Sequence, residues 1–189
     1  LKARDDISLF LPGDRARPYR ERGITTVQAL IDASLGAPST LAAAWREGIP
    51  LLRRGAMSVP RADVEVDVDM EAYMDQGAYL WGARLNGEYI PFVTWDPLGG
   101  RAEAENFAEF WRWLMDVRAQ AHAAGKTFAA YCYSAHGENH WMRRSATRFR
   151  YPDLAEVESF ISSAEWVDLF AHVKRSFAGT TGLGLKTCL

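Results

Sequence analysis

The sequence predicts an α/β fold: a mixed sheet with a three-stranded antiparallel start, then α/β alternation, behind a small helical N-terminal region. Three observations carry that expectation. Val64, Val66, Val68 and Met70 alternate with Glu65, Asp67, Asp69 and Glu71, the period-two pattern of a strand with one buried face. Two apolar-aromatic runs, Ala78 to Leu85 and Glu88 to Trp95, flank Asn86-Gly87, the strongest short signal for a hairpin turn. Phe107, Phe110, Trp111, Leu114 and Val117 then fall on one stripe of a helix spanning roughly Ala102 to Ala124, which Gly125 ends.

The remaining elements follow in order. Residues 1–60 are rich in Arg, Gly and Pro and read as a small, locally basic helical region or linker. Thr25 or Thr26 can cap a short helix carrying Val27, Leu30 and Ile31, and Ser39 or Thr40 precedes a second over Leu41 to Arg46. Residues 61–189 form the main domain. After the long helix, Thr127 to Tyr133 reads as a buried strand and Gly137 to Phe149 as a helix. Tyr151-Pro152-Asp153 breaks the chain. Helices over Glu156 to Ser162 and Val167 to Ser176 complete the order β-β-β-α-β-α-α-α.

Composition bounds the possibilities. The 189 residues are 48% hydrophobic and 24% charged, ordinary for a globular protein, and seven Trp supply large aromatic surface. A formal net charge of -2 gives no global attraction to nucleic acid, so any such contact must be local. Cys132 and Cys188 are too few for a disulfide scaffold, and with the four His they lack the close spacing of a zinc site. With no apolar run of about 18 residues and no signal peptide, a cytoplasmic location without a membrane partner is expected. The chain opens with Leu1-Lys2 and stops in the apolar stretch Leu183 to Leu189, so both ends read as cuts within a longer protein whose other domains would be partners.

The chemistry is expected on the first strand. Four acids on one strand face repel one another, and a divalent metal is a compact way to neutralise them. Asp69 and Glu71, two apart, point the same way and can share an ion. Asp67, one pleat earlier, reads as supporting. Glu138 opens a helix, where an acid is also favoured by the helix dipole alone. Asp168 can serve as a helix cap. Arg143, Arg144 and Arg148 form a basic run that suits a phosphate backbone or a solvated face. Trp141 reads as core and Cys132 as inert packing.

Asp69-Met70-Glu71 resembles the first motif, Asp-x-Glu, of DEDD-type 3′–5′ exonucleases. Tyr133-Ser134-Ala135-His136-Gly137-Glu138-Asn139-His140-Trp141-Met142 resembles their second motif, with Glu138 where most of that superfamily has Asp. A Glu there resembles the RecB-family nucleases, multidomain bacterial proteins with an RNase H-like domain. Tyr79-Leu80-Trp81-Gly82, Pro91-Phe92-Val93-Thr94-Trp95, Asp168-Leu169-Phe170 and Gly184-Leu185-Lys186 look like the same family, so the resemblance covers about residues 62–189. It implies an RNase H-like fold and a metal-dependent nuclease. Asp69 would bridge two Mg²⁺ or Mn²⁺ ions about 3.5–4 Å apart, Glu71 would bind one, and Glu138 would hold the second or its waters. The substrate would be DNA or RNA, at single-stranded ends, in a setting such as DNA repair, with Arg143, Arg144 and Arg148 contacting it. The family's fourth acid and general base fall beyond Leu189, so weak metal binding and poor cleavage are expected of this chain. The alternative is an inactive RNase H-like module that binds nucleic acid or another partner.

Overall fold

The computed structural model describes residues 5–188; Leu1, Lys2 and Leu189 lie outside that range, as does the side chain of Cys188. Two 3-10 turns (Ile7–Leu9, Gly13–Ala16) lead into α1 (Arg17–Arg20), α2 (Val27–Asp32), α3 (Ala37–Arg46) and β1 (Leu51–Arg53). Then come β2 (Val64–Tyr73), β3 (Gly77–Leu85), β4 (Glu88–Val93), α4 (Arg101–Ala123), β5 (Phe128–Cys132), α5 (His136–Phe149) and α6 (Leu154–Ile161). The last four are β6 (Trp166–Asp168), α7 (Leu169–Ser176), β7 (Phe177–Gly179) and α8 (Leu185–Cys188). No described helix is long and apolar enough to cross a membrane.

The chain divides into two compact units, residues 1–57 with 173–189, and residues 58–172. Composition suggests a division at residue 60 with everything after it in one domain. The observed C-terminal segment instead groups with the first unit, because β7 pairs antiparallel with β1, Leu52 opposite Ala178. In that unit Ile7, Phe10, Val27, Leu30 and Ala42 make a small core. Thr26 caps α2 by accepting the Ala29 N–H at 3.0 Å. α3 begins at Ala37, earlier than expected. Gly36, at φ 73, turns the chain, and Pro38 fits the first helical turn. Ser39 therefore sits inside the helix, its hydroxyl donating to the Leu30 carbonyl and accepting the Leu35 N–H.

The second unit is built on a five-stranded mixed sheet in the order β4-β3-β2-β5-β6. β2, β3 and β4 are antiparallel, and β5 and β6 add in parallel. Asn86 and Gly87 both take positive φ, 52° and 85°, as the tight hairpin between β3 and β4 requires. One face of the sheet (Val66, Val68, Trp81, Ala83, Ala130) packs against Phe107, Phe110, Trp111 and Leu114 of α4, with Trp141 and Met142 of α5 and Phe160 of α6. Trp81 stacks on Phe110 with centroids 4.8 Å apart. The other face is divided. Ala129, Tyr131 and Val167 are covered by Val59, Ala62 and Leu169, whereas Asp67, Asp69 and Glu71 of β2 are exposed.

The helix expected to begin at Val167 begins at Leu169. Residues 166–168 instead form β6, with Val167 opposite Tyr131 and Asp168 opposite Cys132. Three residues are too few for a periodicity to declare itself. Parallel pairing with a buried neighbour makes the strand.

One buried carboxylate links three parts of this unit. Glu103, in the first turn of α4, is 1% exposed. It accepts the Ala78 N–H at 3.0 Å and the Gly99 N–H at 2.6 Å, and Arg148 of α5 lies 3.5 Å away. A Cβ on Gly77 would stand 2.2 Å from its Oε2, so only glycine fits there. We expect Glu103→Leu to lose about 3 kcal/mol in urea unfolding, since the buried Ala78 N–H, the partly buried Gly99 N–H and a cation lose their acceptor. Gly77→Ala should lose about 1–3 kcal/mol through overpacking. Wild-type unfolding midpoints for both variants would refute this account of Glu103.

Candidate functional site

The candidate site lies at the carboxyl ends of the central parallel strands. In the β2–β5 register Asp67 is opposite Tyr131, which puts Asp69 alongside the residues that follow β5. The chain leaves β5, passes Ser134 in a left-handed conformation (φ 72) and enters α5 at His136. Asp168 closes β6 at the same level. Its Oδ1 accepts the N–H of Ser134 at 3.0 Å and that of Phe170 at 2.9 Å. It thus caps α7 and also fixes the turn into α5. The amide of Asn139 holds the other side of that turn, its Oδ1 accepting the Trp166 Nε1–H at 2.8 Å.

Glu138 stands in the first turn of α5 and is 6% exposed. Burial pushes its carboxyl up to about 7; its own backbone N–H opposes this, while the nearby negative charges of Asp69 and Asp168 add to it. Burial, with Glu138 and Asp168 adding, also pushes the Cys132 thiol far up, so Cys132 is inert packing. Of the acids that the sequence singles out, Asp69 and Asp168 are the ones whose charge adds to the rise at Glu138. Glu71 is exposed on the same strand face as Asp69, just before an irregularity in the β2–β3 register, and is not among the groups that act on Glu138. Among the described residues no three His, Cys, Asp or Glu side chains stand together as ligands for one ion.

The acids sort by their partners. Glu65, on the same face of β2, is fully used. Arg61 donates two bonds of 2.6 and 2.7 Å, and the Ala62 N–H and Tyr131 hydroxyl add bonds of 3.1 and 2.8 Å. Those bonds, the Arg61 one foremost, hold its carboxyl down at about 2, while burial and the bond to Glu65 push the Tyr131 hydroxyl up to about 12. Asp69, Glu71 and Glu138 form no ion pair among the described residues. Asp67 sits opposite Arg84 of β3.

The three arginines expected at a phosphate backbone all make contacts within the unit. Arg143 forms a bidentate pair with Glu158. Arg144 donates to the Asp75 carbonyl at 2.8 Å and lies over the Trp141 ring. Arg148 donates to the Gln76 carbonyl at 2.6 Å besides approaching Glu103. Trp141 is buried and presents no platform to a base. The sequence signal missed Asp168 as part of the acidic group. Its helix-capping role is legible, but its approach to Glu138 depends on β6.

No family model matches the chain, no curated protein matches it, and no solved structure matches it.

The raised carboxyl of Glu138 makes stability depend on pH in a defined direction. A carboxyl at about 7 in the fold and about 4.5 when unfolded binds its proton more tightly in the native state. The protonated form therefore costs little below pH 4.5, and the fold loses stability as pH rises through 7, by about 3 kcal/mol in all. In EDTA, Glu138→Gln should melt close to wild type at pH 4.5 and clearly above it at pH 8. A melting difference that is the same at both pH values would remove the case for a desolvated acid.

Proposed function

We propose that this chain is a metal-dependent phosphodiesterase of the RNase H-like type, acting on DNA or RNA at single-stranded ends. The observation that carries the reading is the pair Asp69 and Glu138. The two acids come from separate segments, β2 and the first turn of the helix that follows its parallel partner β5, and among the described residues neither forms an ion pair, while the neighbouring Glu65 is fully bonded. The three-stranded antiparallel start, followed by parallel strands joined through helices, supports the same reading.

An all-oxygen, negatively charged, partly desolvated donor set fits a hard divalent cation such as Mg²⁺ or Mn²⁺. Because no three such acids stand together among the described residues, Asp69 and Glu138 are the residues that would hold it, with Glu71 further along the same strand face, and bound there it would supply a water of lowered pKa and positive charge beside a phosphoryl oxygen. The chain's own groups have distinct roles. Asp69 contributes an exposed carboxyl on the outer face of β2. Glu138 holds a proton on its carboxyl up to about pH 7 and releases it when positive charge approaches. Asp168 keeps the Ser134 turn in place and so sets where α5 begins.

A second reading, an inactive nucleic-acid-binding module, is favoured by the lack of a three-ligand cluster among the described residues. Degradation of a labelled single strand with Mn²⁺ or Mg²⁺ separates the two. Cleavage by wild type that falls at least about 100-fold in Asp69→Asn, equivalent to roughly 2.7 kcal/mol of barrier, supports the enzyme. Mn²⁺ should also raise the melting temperature of wild type and not of Asp69→Asn. Equal cleavage by wild type and Glu71→Gln would discard Glu71, and a wild type that binds single strands without cutting them leaves the second reading.

A further inference from the structure

The outer face of the antiparallel half of the sheet, away from α4, is laid out by its registers in three rows. Directly opposite residues share a face, so Asp67 stands level with Arg84, Asp69 with Gly82 and Glu71 with Leu80. On β4 the rows continue to Tyr89, Pro91 and Val93. β2 therefore contributes a column of exposed acids about 6.8 Å apart, and β4 a second column, exposed and apolar, roughly 10 Å away. Tyr89 is 57% exposed and Val93 38%; just past the strand, Trp95 is 86% exposed beside the ring of Tyr79. Gly82 keeps the middle row flat, since a Cβ there would stand 2.7 Å from the Tyr89 hydroxyl, which lies back across β3. Among the described residues the three acids form no ion pair, and Arg84 is the one cation in the three rows.

We propose that this face docks a basic amphipathic helix of a partner protein, with Lys or Arg over the β2 column and apolar side chains over the β4 column. Sheet faces in α/β folds are closed by helices, as α4, α5 and α6 close the inner face here, and exposed apolar groups beside unpaired charge mark a contact surface. Strand addition is opposed at this edge. Thr94 turns its N–H inward to the Tyr79 carbonyl, so by alternation residue 91 faces the open edge, and a proline there has no N–H to give. A helix rises about 6 Å over four residues, close to the repeat of the acids, so cations at i, i+4 and i+8 meet all three rows. The sign of the charge opposes a bare polyanion, because three carboxylates to one guanidinium repel phosphates and attract Lys and Arg. The partner's cations stand where the phosphodiesterase reading sets a metal ion, and only this competition for Asp69 rests on that reading; docking itself needs neither metal nor cleavage.

The test is fluorescence anisotropy of a labelled Leu/Lys amphipathic helix of about 18 residues, roughly 27 Å, on the 189-residue chain in EDTA. A Leu/Glu helix of the same apolar pattern and a labelled single-stranded oligonucleotide are run beside it. The Leu/Lys helix should bind at least about tenfold more tightly than the Leu/Glu helix. Glu71→Lys and Val93→Lys, both at exposed positions, should each weaken it about tenfold or more with an unchanged melting temperature. Glu109→Lys makes the same charge change as Glu71→Lys at an exposed position of α4, on the far side of the sheet, and should bind as wild type. Equal losses in Glu71→Lys and Glu109→Lys would reduce the effect to net charge and overturn the proposal, as would wild-type affinity in Val93→Lys. Tyr89→Ala weakening the oligonucleotide and not the helix gives the face to nucleic acid and overturns it too. Helix binding by a chain that cuts no strand with Mn²⁺ would sink the phosphodiesterase reading and leave the docking face; cleavage without helix binding does the reverse.

Discussion

The carboxylate of Glu103 is where the second unit is fastened together. A buried ion costs several kcal/mol in desolvation unless its lone pairs are filled, and here two backbone N–H groups and a guanidinium fill them. The donors come from the start of β3, the loop before α4 and the last turn of α5. One side chain therefore sets the hairpin turn, the long helix α4 and the helix α5 in a common register. Arg148 and Arg144 extend the same attachment to the carbonyls of Gln76 and Asp75. At the other end of α5, Asp168 and Trp166 of β6 hold Ser134 and Asn139. A helix tied at both ends to the sheet gives a fixed position to a residue in its first turn, and that residue is Glu138.

Residue type alone does not say what an acid does here; its partners do. Glu65 accepts bonds from Arg61, Ala62 and Tyr131 and closes the strand's outer face. Glu165 joins Arg118 and His122, and Glu158 joins Arg143. These are satisfied acids with structural work, and their carboxyls are held below the ordinary value chiefly by guanidinium hydrogen bonds, against desolvation in Glu165. Glu138 departs in the opposite direction, and its near neighbours Asp69 and Asp168 are negative. The contrast inside one small unit separates the candidate site from the ordinary surface chemistry around it.

Much of this was legible in the sequence. The alternation through Val64–Met70 puts the valines in the core and the acids on the far face, because a strand's side chains have a period of two. Asn86-Gly87 turns where two positive φ angles are needed, and the Phe107–Leu114 stripe packs where a 3.6-residue period puts it. What escaped has a common physical cause. β6 and β7 are three residues each, too short to show a period, and they exist because buried neighbours pair with them. The early start of α3 depends on one positive φ at Gly36, which a glycine permits but does not announce. At the site, the order of the segments carrying Asp69 and Glu138 is legible, but the part played by Asp168 depends on β6, and the engagement of Arg144 and Arg148 depends on carbonyls of a turn far away in sequence.

The decisive comparison at Glu138 is between two electrostatic effects of opposite sign. An acid in the first turn of a helix is favoured by the dipole, by about 0.3–1 kcal/mol when exposed. That effect alone would lower its carboxyl. Instead the carboxyl is pushed up to about 7, so burial together with Asp69 and Asp168 outweighs the dipole and the group's own N–H by about 3 kcal/mol. A glutamine would keep the shape of the turn and remove that cost. A glutamate that is desolvated, flanked by like charges and given no cation by the described residues destabilises the fold at neutral pH for no structural return. On the proposed reading that cost is offset when positive charge arrives from outside the chain, which sets the first turn of α5 apart from the open acidic face of β2.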